Sequence, residues 1–185
     1  NAAIKAGGAT SYLEVVSLDE ASELASARAA VDIGVDILLG GTHVDAVLPI
    51  LAGTDIRYFP FPGRIEGHPS VLAGTIDEVV DSAVALAARD GVHGLDLLAY
   101  RSAENVTGLM AAVCAAVDKP VIMAGSIGSR DQIEIARRSG AAGFTIGTAA
   151  LDGDYPADSP ELETQLRSIQ RDVAGVNKHL SPFAP

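Results

Sequence analysis

Strands and helices alternate strictly along this chain, and that alternation limits its possible folds more than any other feature. Helical segments end at Gly7-Gly8, Gly34, Gly91 and Gly140. Each hands over within a few residues to an apolar run, at 12–17, 35–39, 95–100 and 144–146. Glycine most readily takes the left-handed turn that closes a helix. Two further apolar runs, at 56–61 and 121–124, follow Thr54-Asp55 and Pro120 instead. Between the runs, helices are expected at 18–33, 42–51, 75–89, 105–117, 130–139 and 160–173. Asp19, Thr75, Asn105 and Ser159 stand where N-caps belong, and Pro160 suits a first helical position. Residues 1–5 read as the end of another helix, and 177–185, with two prolines, as irregular.

Strict alternation predicts a parallel sheet covered by helices. Six strands suit a doubly wound open sheet. They also suit a TIM (β/α)8 barrel if its first two strands precede Asn1, so that only the third to eighth strands are visible here. Two features favour the barrel: the helix-free stretch 60–74, which resembles an active-site loop, and the paired glycine ends of the last two strands. The expectation is therefore a single (β/α) barrel domain over 1–185, incomplete at its N-terminus.

Those two ends lie in residues 119–151. The apolar run 120–124 stops at Gly125-Ser126-Ile127-Gly128-Ser129, and the run 143–146 stops at Gly147-Thr148-Ala149. Small residues at the C-terminal ends of neighbouring parallel strands leave backbone N–H groups uncovered, where an anion can approach them closely.

The same stretch resembles the phosphate-binding end of the ribulose-phosphate-binding barrel superfamily of sugar-phosphate epimerases, isomerases and synthases. The shared pattern is Pro120-Val121-Ile122-Met123-Ala124-Gly125-Ser126-Ile127 followed by Gly140-Ala141-Ala142-Gly143-Phe144-Thr145-Ile146-Gly147-Thr148-Ala149. Ser126 stands where many members have a second glycine. The resemblance implies a phosphorylated small-molecule substrate held at Gly125, Ser126, Gly147 and Thr148, and a homo-oligomer. Flavin-mononucleotide barrels carry a similar pattern, so an FMN-dependent oxidoreductase and a non-catalytic phosphometabolite-binding regulator remain alternatives to a sugar-phosphate isomerase, epimerase or lyase.

Charge narrows the partners. The chain has 185 residues, 13 basic and 24 acidic, with a net charge of −11. No Lys/Arg cluster exists to meet nucleic acid or an anionic membrane. The single cysteine, Cys114, lies in an apolar helical segment and reads as a buried, inert thiol, with the cytoplasm as the default compartment. No cofactor is predicted. FMN or a divalent metal is conceivable, although the spacings of Glu14, His43, Glu66 and His68 match no metal motif.

Several side chains are placed to carry chemistry. Glu14 sits mid-strand, where a charge must face a cavity or be paired; both a catalytic carboxylate and an ion pair fit. His43 follows Gly40-Gly41-Thr42 at a strand end, as a catalytic or a structural imidazole. Arg101 ends a strand and suits an orienting cation. Arg64, Glu66 and His68 gather in one loop, readable as a substrate loop. Asp36 and Asp96, in the matching strings VDILLGG and LDLLAYR, read as charges on the opposite rim. His93 also reads as lying at that end. The lysines Lys5, Lys119 and Lys178 lie outside strand interiors and C-terminal ends, which disfavours imine chemistry and leaves proton transfer beside a carbonyl or a non-Schiff-base aldol step.

Overall fold

The computed structural model describes residues 1–179. Its elements run α1 (Ala2–Ala6), β1 (Tyr12–Val15), α2 (Glu20–Ile33), β2 (Ile37–Gly40), α3 (Val44–Leu51), β3 (Arg57–Phe59), β4 (Arg64–Glu66), β5 (Val71–Ala73) and α4 (Ile76–Ala87). They continue with β6 (Leu95–Leu97), a 3-10 turn (Ala99–Arg101), α5 (Val106–Ala116), β7 (Val121–Met123), α6 (Arg130–Arg138), β8 (Gly143–Phe144), α7 (Thr148–Leu151) and α8 (Leu162–His179).

The helix caps follow from local chemistry. The side chains of Asp19, Thr75, Asn105 and Ser129 accept backbone N–H bonds from Ser22, Glu78, Gly108 and Gln132, which would otherwise be unpaired. At Thr75 the Glu78 side chain reaches back to complete a capping box. Gly34 closes α2 at φ 69°, as a left-handed cap needs. Asn1 and Lys5 fasten α1 to that end, donating to the Ile33 and Gly34 carbonyls.

The expected barrel is not what forms. The described strands make two three-stranded parallel sheets, β1-β2-β3 and β6-β7-β8, and a separate antiparallel pair, β4-β5. The parallel sheets meet through a Tyr58–Val92 bridge and the bonds His93 N to Tyr58 O (2.8 Å) and Asp96 N to Pro60 O (3.0 Å). Among the described residues no ladder joins β8 to β1, so the sheet does not close. Two departures from the expected pattern accompany the open sheet. The stretch 60–74, expected to be a helix-free active-site loop, carries the β4-β5 hairpin. The last strand is only Gly143–Phe144 and pairs with β7 alone.

Smaller corrections follow. The run at 95–100 is a three-residue strand followed by the 3-10 turn, and α8 begins at Leu162 rather than at 160. Helix α8 also continues to His179, through part of the segment expected to be irregular; 180–185 lie outside the described residues.

Strand pleating sorts the side chains into two layers. Val15, Leu38, Tyr58, Leu95, Leu97, Val121 and Met123 point toward the helices and belong to the main core. Ile37, Leu39 and Phe59 form a second cluster on the opposite, inner face, with Ile122 packed against it. Glu14 and Asp96 fall on that inner face by parity. Register places Glu14 beside Leu39, Leu39 beside Phe59, Asp96 beside Ile122, and Ile122 beside Gly143. The inner faces of the two sheets curl toward each other, because Tyr12 and Glu14 of β1 share a cavity of about 350 Å³ with Gly143 and Phe144 of β8.

Candidate functional site

A larger cavity of about 430 Å³ opens at the C-terminal ends of the parallel strands. Its lining includes Glu14, Arg101, Gly125, Ser126, Thr145, Gly147, Thr148 and Asp154. Glu14 and Thr145 also line the inner-face cavity, so one continuous cleft passes over both.

The loop after β7 supplies the first wall. Gly125 has φ 89° and Ser126 φ 57°, a left-handed conformation uncommon for a residue with a side chain. A Cβ on Gly125 would come within 2.9 Å of Arg101 Cγ. Glycine there lets the guanidinium stem lie directly across the loop. Arg101 Nε in turn donates to Ser126 Oγ at 3.4 Å. The loop after β8 supplies the facing wall, with Gly147 preceding the short helix α7. Among the described residues, the backbone N–H groups of Gly125, Ser126, Ile127, Ile146 and Gly147 have no protein acceptor. Uncommitted amides from two loops, with one guanidinium beside them, suit an anion.

Glu14 stands at the floor of this space. Crowding by protein raises its carboxyl above the usual range, and the Arg101 charge opposes that rise. The result is a carboxylate of increased proton affinity facing a cavity. Asp154, on the rim, adds a second acceptor.

Asp96 was missed. Its strand is three residues long, so the second position is its middle rather than its rim, and the side chain is 0% exposed between Leu95 and Leu97. Neither carboxyl oxygen has a hydrogen-bond partner. Burial, and then the charge of Glu14, push its proton affinity far above that of an ordinary aspartate. Its apolar flanks, Leu95 and Leu97, are the sequence signal for that burial. Asp36, its counterpart, is half-exposed. It accepts from Ser11 N and Oγ (both 2.7 Å) and pairs with Lys5 at 3.0 Å, as a rim residue should.

The other expected residues lie elsewhere. His43 precedes α3, with Nδ1 2.7 Å from Glu23 Oε2, and lines neither of the two cavities. Arg64 pairs with Glu66 on the exposed hairpin at 3.1 Å. That hairpin touches the site's flank through the Leu72–Ser102 bridge, but Arg64, Glu66 and His68 are not in the lining. Among the described residues no cluster of three or more His, Cys, Asp or Glu side chains could hold a metal. His93 Nδ1 accepts from Tyr58 N at 3.2 Å, at the end of the sheet away from the cavity. Lys119 is also committed there, to the Arg89 and Val92 carbonyls. Cys114 is half-buried, its thiol pushed up to about 11 by burial. No described helix is long and apolar enough to cross a membrane.

No protein-family model matches the chain, and no curated protein matches it in sequence. Solved structures resemble its fold. The Amycolatopsis orientalis BexX/CysO complex matches over 97% of this chain and 72% of its own, with TM-score 0.63 and 20% identity. A putative deoxyribose-phosphate aldolase from Coccidioides immitis matches over 90% of this chain and 66% of its own (TM-score 0.57, 16% identity). FabK from Thermotoga maritima matches over 75% and 41% (TM-score 0.56, 14% identity). The chain thus spans less than two thirds of the latter two. At these identities the likeness is one of fold alone. It does not single out the ribulose-phosphate-binding group.

Proposed function

We propose that the chain is an enzyme acting on a small phosphorylated sugar or related metabolite. Gly125, Ser126, Gly147 and Thr148 hold its phosphate, and Glu14 moves a proton at a carbon beside a carbonyl. The observation that carries this reading is the shared cavity, where uncommitted amides of two loops and the Arg101 guanidinium lie above a carboxylate of raised proton affinity.

Each part has a distinct role. The amides and Arg101 fix the anion, and with it the position of the carbon to be deprotonated. Glu14, made more basic by its surroundings, takes that proton and returns it. Arg101 also faces the negative charge that develops on the carbonyl oxygen. Asp154 and Thr148 offer partners for sugar hydroxyls. His43 has no part in this scheme, because its ring is held by Glu23 away from the cavity.

The experiment is a thermal-shift screen of the full chain over a panel of sugar phosphates, with Gly147→Asp as control. The reading expects a concentration-dependent rise in Tm with at least one phosphorylated ligand, lost in the variant. Stabilisation by none of the panel, or equal stabilisation of the variant, would overturn it.

A further inference from the structure

We propose that Asp96 is the proton-holding partner of Glu14: a neutral carboxylic acid beneath the site that leaves Glu14 to carry the pair's single negative charge. It is a positioning residue, since it has no exposed surface with which to touch a ligand.

The geometry makes Asp96 neutral. An ionised carboxylate needs several donors, and both of its oxygens lack even one. Its own N–H is spent on the Pro60 carbonyl. The neighbours on its face are apolar: Ile122 in register beside it, and the Ile37, Leu39 and Phe59 cluster across the inner face. A buried carboxyl so placed keeps its proton.

Glu14 is the ionisable group that faces it. Strands β2 and β7, which flank or pack on β6, carry no ionisable side chain. Strand β3 contributes Arg57, exposed at the strand's start, and α4 carries Asp77, Glu78 and Asp81, all exposed. The Glu14 charge raises the proton affinity of Asp96 further, and Arg101 steadies Glu14 in its ionised form. A buried carboxyl and a cavity-lining one on the same sheet face share a single negative charge, as interacting acids do.

The consequence for chemistry rests on the proposed role of Glu14 as base. The resting pair holds one proton, on Asp96. When Glu14 takes a proton from carbon, the C–H electron pair stays on the ligand as an enolate and the pair holds two protons. Return of the proton reverses both changes. Asp96 never exchanges with the ligand. Its neutrality keeps a second charge from repelling an anionic substrate.

The test is a carboxyl-carbon NMR titration of the full chain, in wild type, Glu14→Gln and Asp96→Asn. In wild type, Asp96 is expected to show a protonated carboxyl at neutral pH and to ionise only in alkali. Glu14→Gln should bring that midpoint down, since the Glu14 charge raises it. Affinity for inorganic sulfate, whose charge is fixed over this range, should fall in wild type as Asp96 ionises, and that alkaline fall should vanish in Asp96→Asn. An ionised Asp96 at neutral pH, or a midpoint unmoved by Glu14→Gln, would overturn the proposal. If Asp96→Asn does not fold, the titrations of wild type and Glu14→Gln decide alone. The expected titrations without sulfate binding would leave the pair standing and remove the phosphate site.

Discussion

The buried carboxylate of Glu23 holds the ring of His43, with Oε2 2.7 Å from Nδ1, and accepts the backbone N–H groups of Thr42 and His43 at 3.0 Å each. Glu23 is 1% exposed on α2, and the segment it binds connects β2 to α3. One side chain thus anchors the turn that follows a strand end. Glu23→Ala would strand two amides and an imidazole, and we expect a loss of about 3 kcal/mol in stability by urea unfolding. A loss below about 1 kcal/mol would mean that water replaces these bonds without cost.

His43→Gln should separate structural from chemical roles. We expect little change in ligand-induced Tm shifts, together with a measurable loss of stability. An abolished ligand response in a variant that folds as well as wild type would restore His43 to the site.

Asp36 predicts a specific acid sensitivity. Bonds from Ser11 N and Oγ, and then Lys5, lower its folded pKa from 3.8 to about 2. A carboxylate with a depressed folded pKa adds stability above its unfolded pKa and loses it as pH falls through the folded one. Wild type should therefore lose this contribution between 3.8 and about 2, and Asp36→Asn should show a flatter stability profile across that window. Identical profiles in urea midpoints measured over this range would contradict the assignment.

Arg101 should tune Glu14. Its charge lowers a carboxyl that burial raises, so Arg101→Gln should move the Glu14 titration upward in NMR. It should also weaken sulfate binding about tenfold, the loss of one charge-assisted contact. A downward or absent shift would show that the two side chains do not interact.

Much of the architecture was legible because its signals are local. Asp19, Thr75 and Asn105 cap the helices they were expected to cap, and Gly34 closes α2, since these effects act within a few residues. Closure of the sheet was not legible. It depends on whether β8 and β1 find partners, and neither edge carries a pattern that says so. Asp96 shows a different failure: two matching strings, VDILLGG and LDLLAYR, suggested matching places for their aspartates. Asp36 precedes its strand, whereas Asp96 is the centre of one, so one is paired at the rim and the other is buried. The Glu23 contact of His43 was not legible for a third reason, because Glu23 lies twenty residues away on another element.

The central claim is that one cavity binds an anion with the loops after β7 and β8. Gly147 is its most direct probe, because a Cβ there meets nothing within 4 Å. Gly147→Asp should therefore fold normally while placing a carboxylate among the free amides. The most direct measurement is a crystal soaked in inorganic phosphate, paired with calorimetric phosphate binding to wild type and Gly147→Asp. The account predicts phosphate on the amides of Gly125, Ser126, Gly147 and Thr148, with affinity at least about tenfold weaker in the variant. Phosphate bound elsewhere, with affinity unchanged by Gly147→Asp, would contradict it.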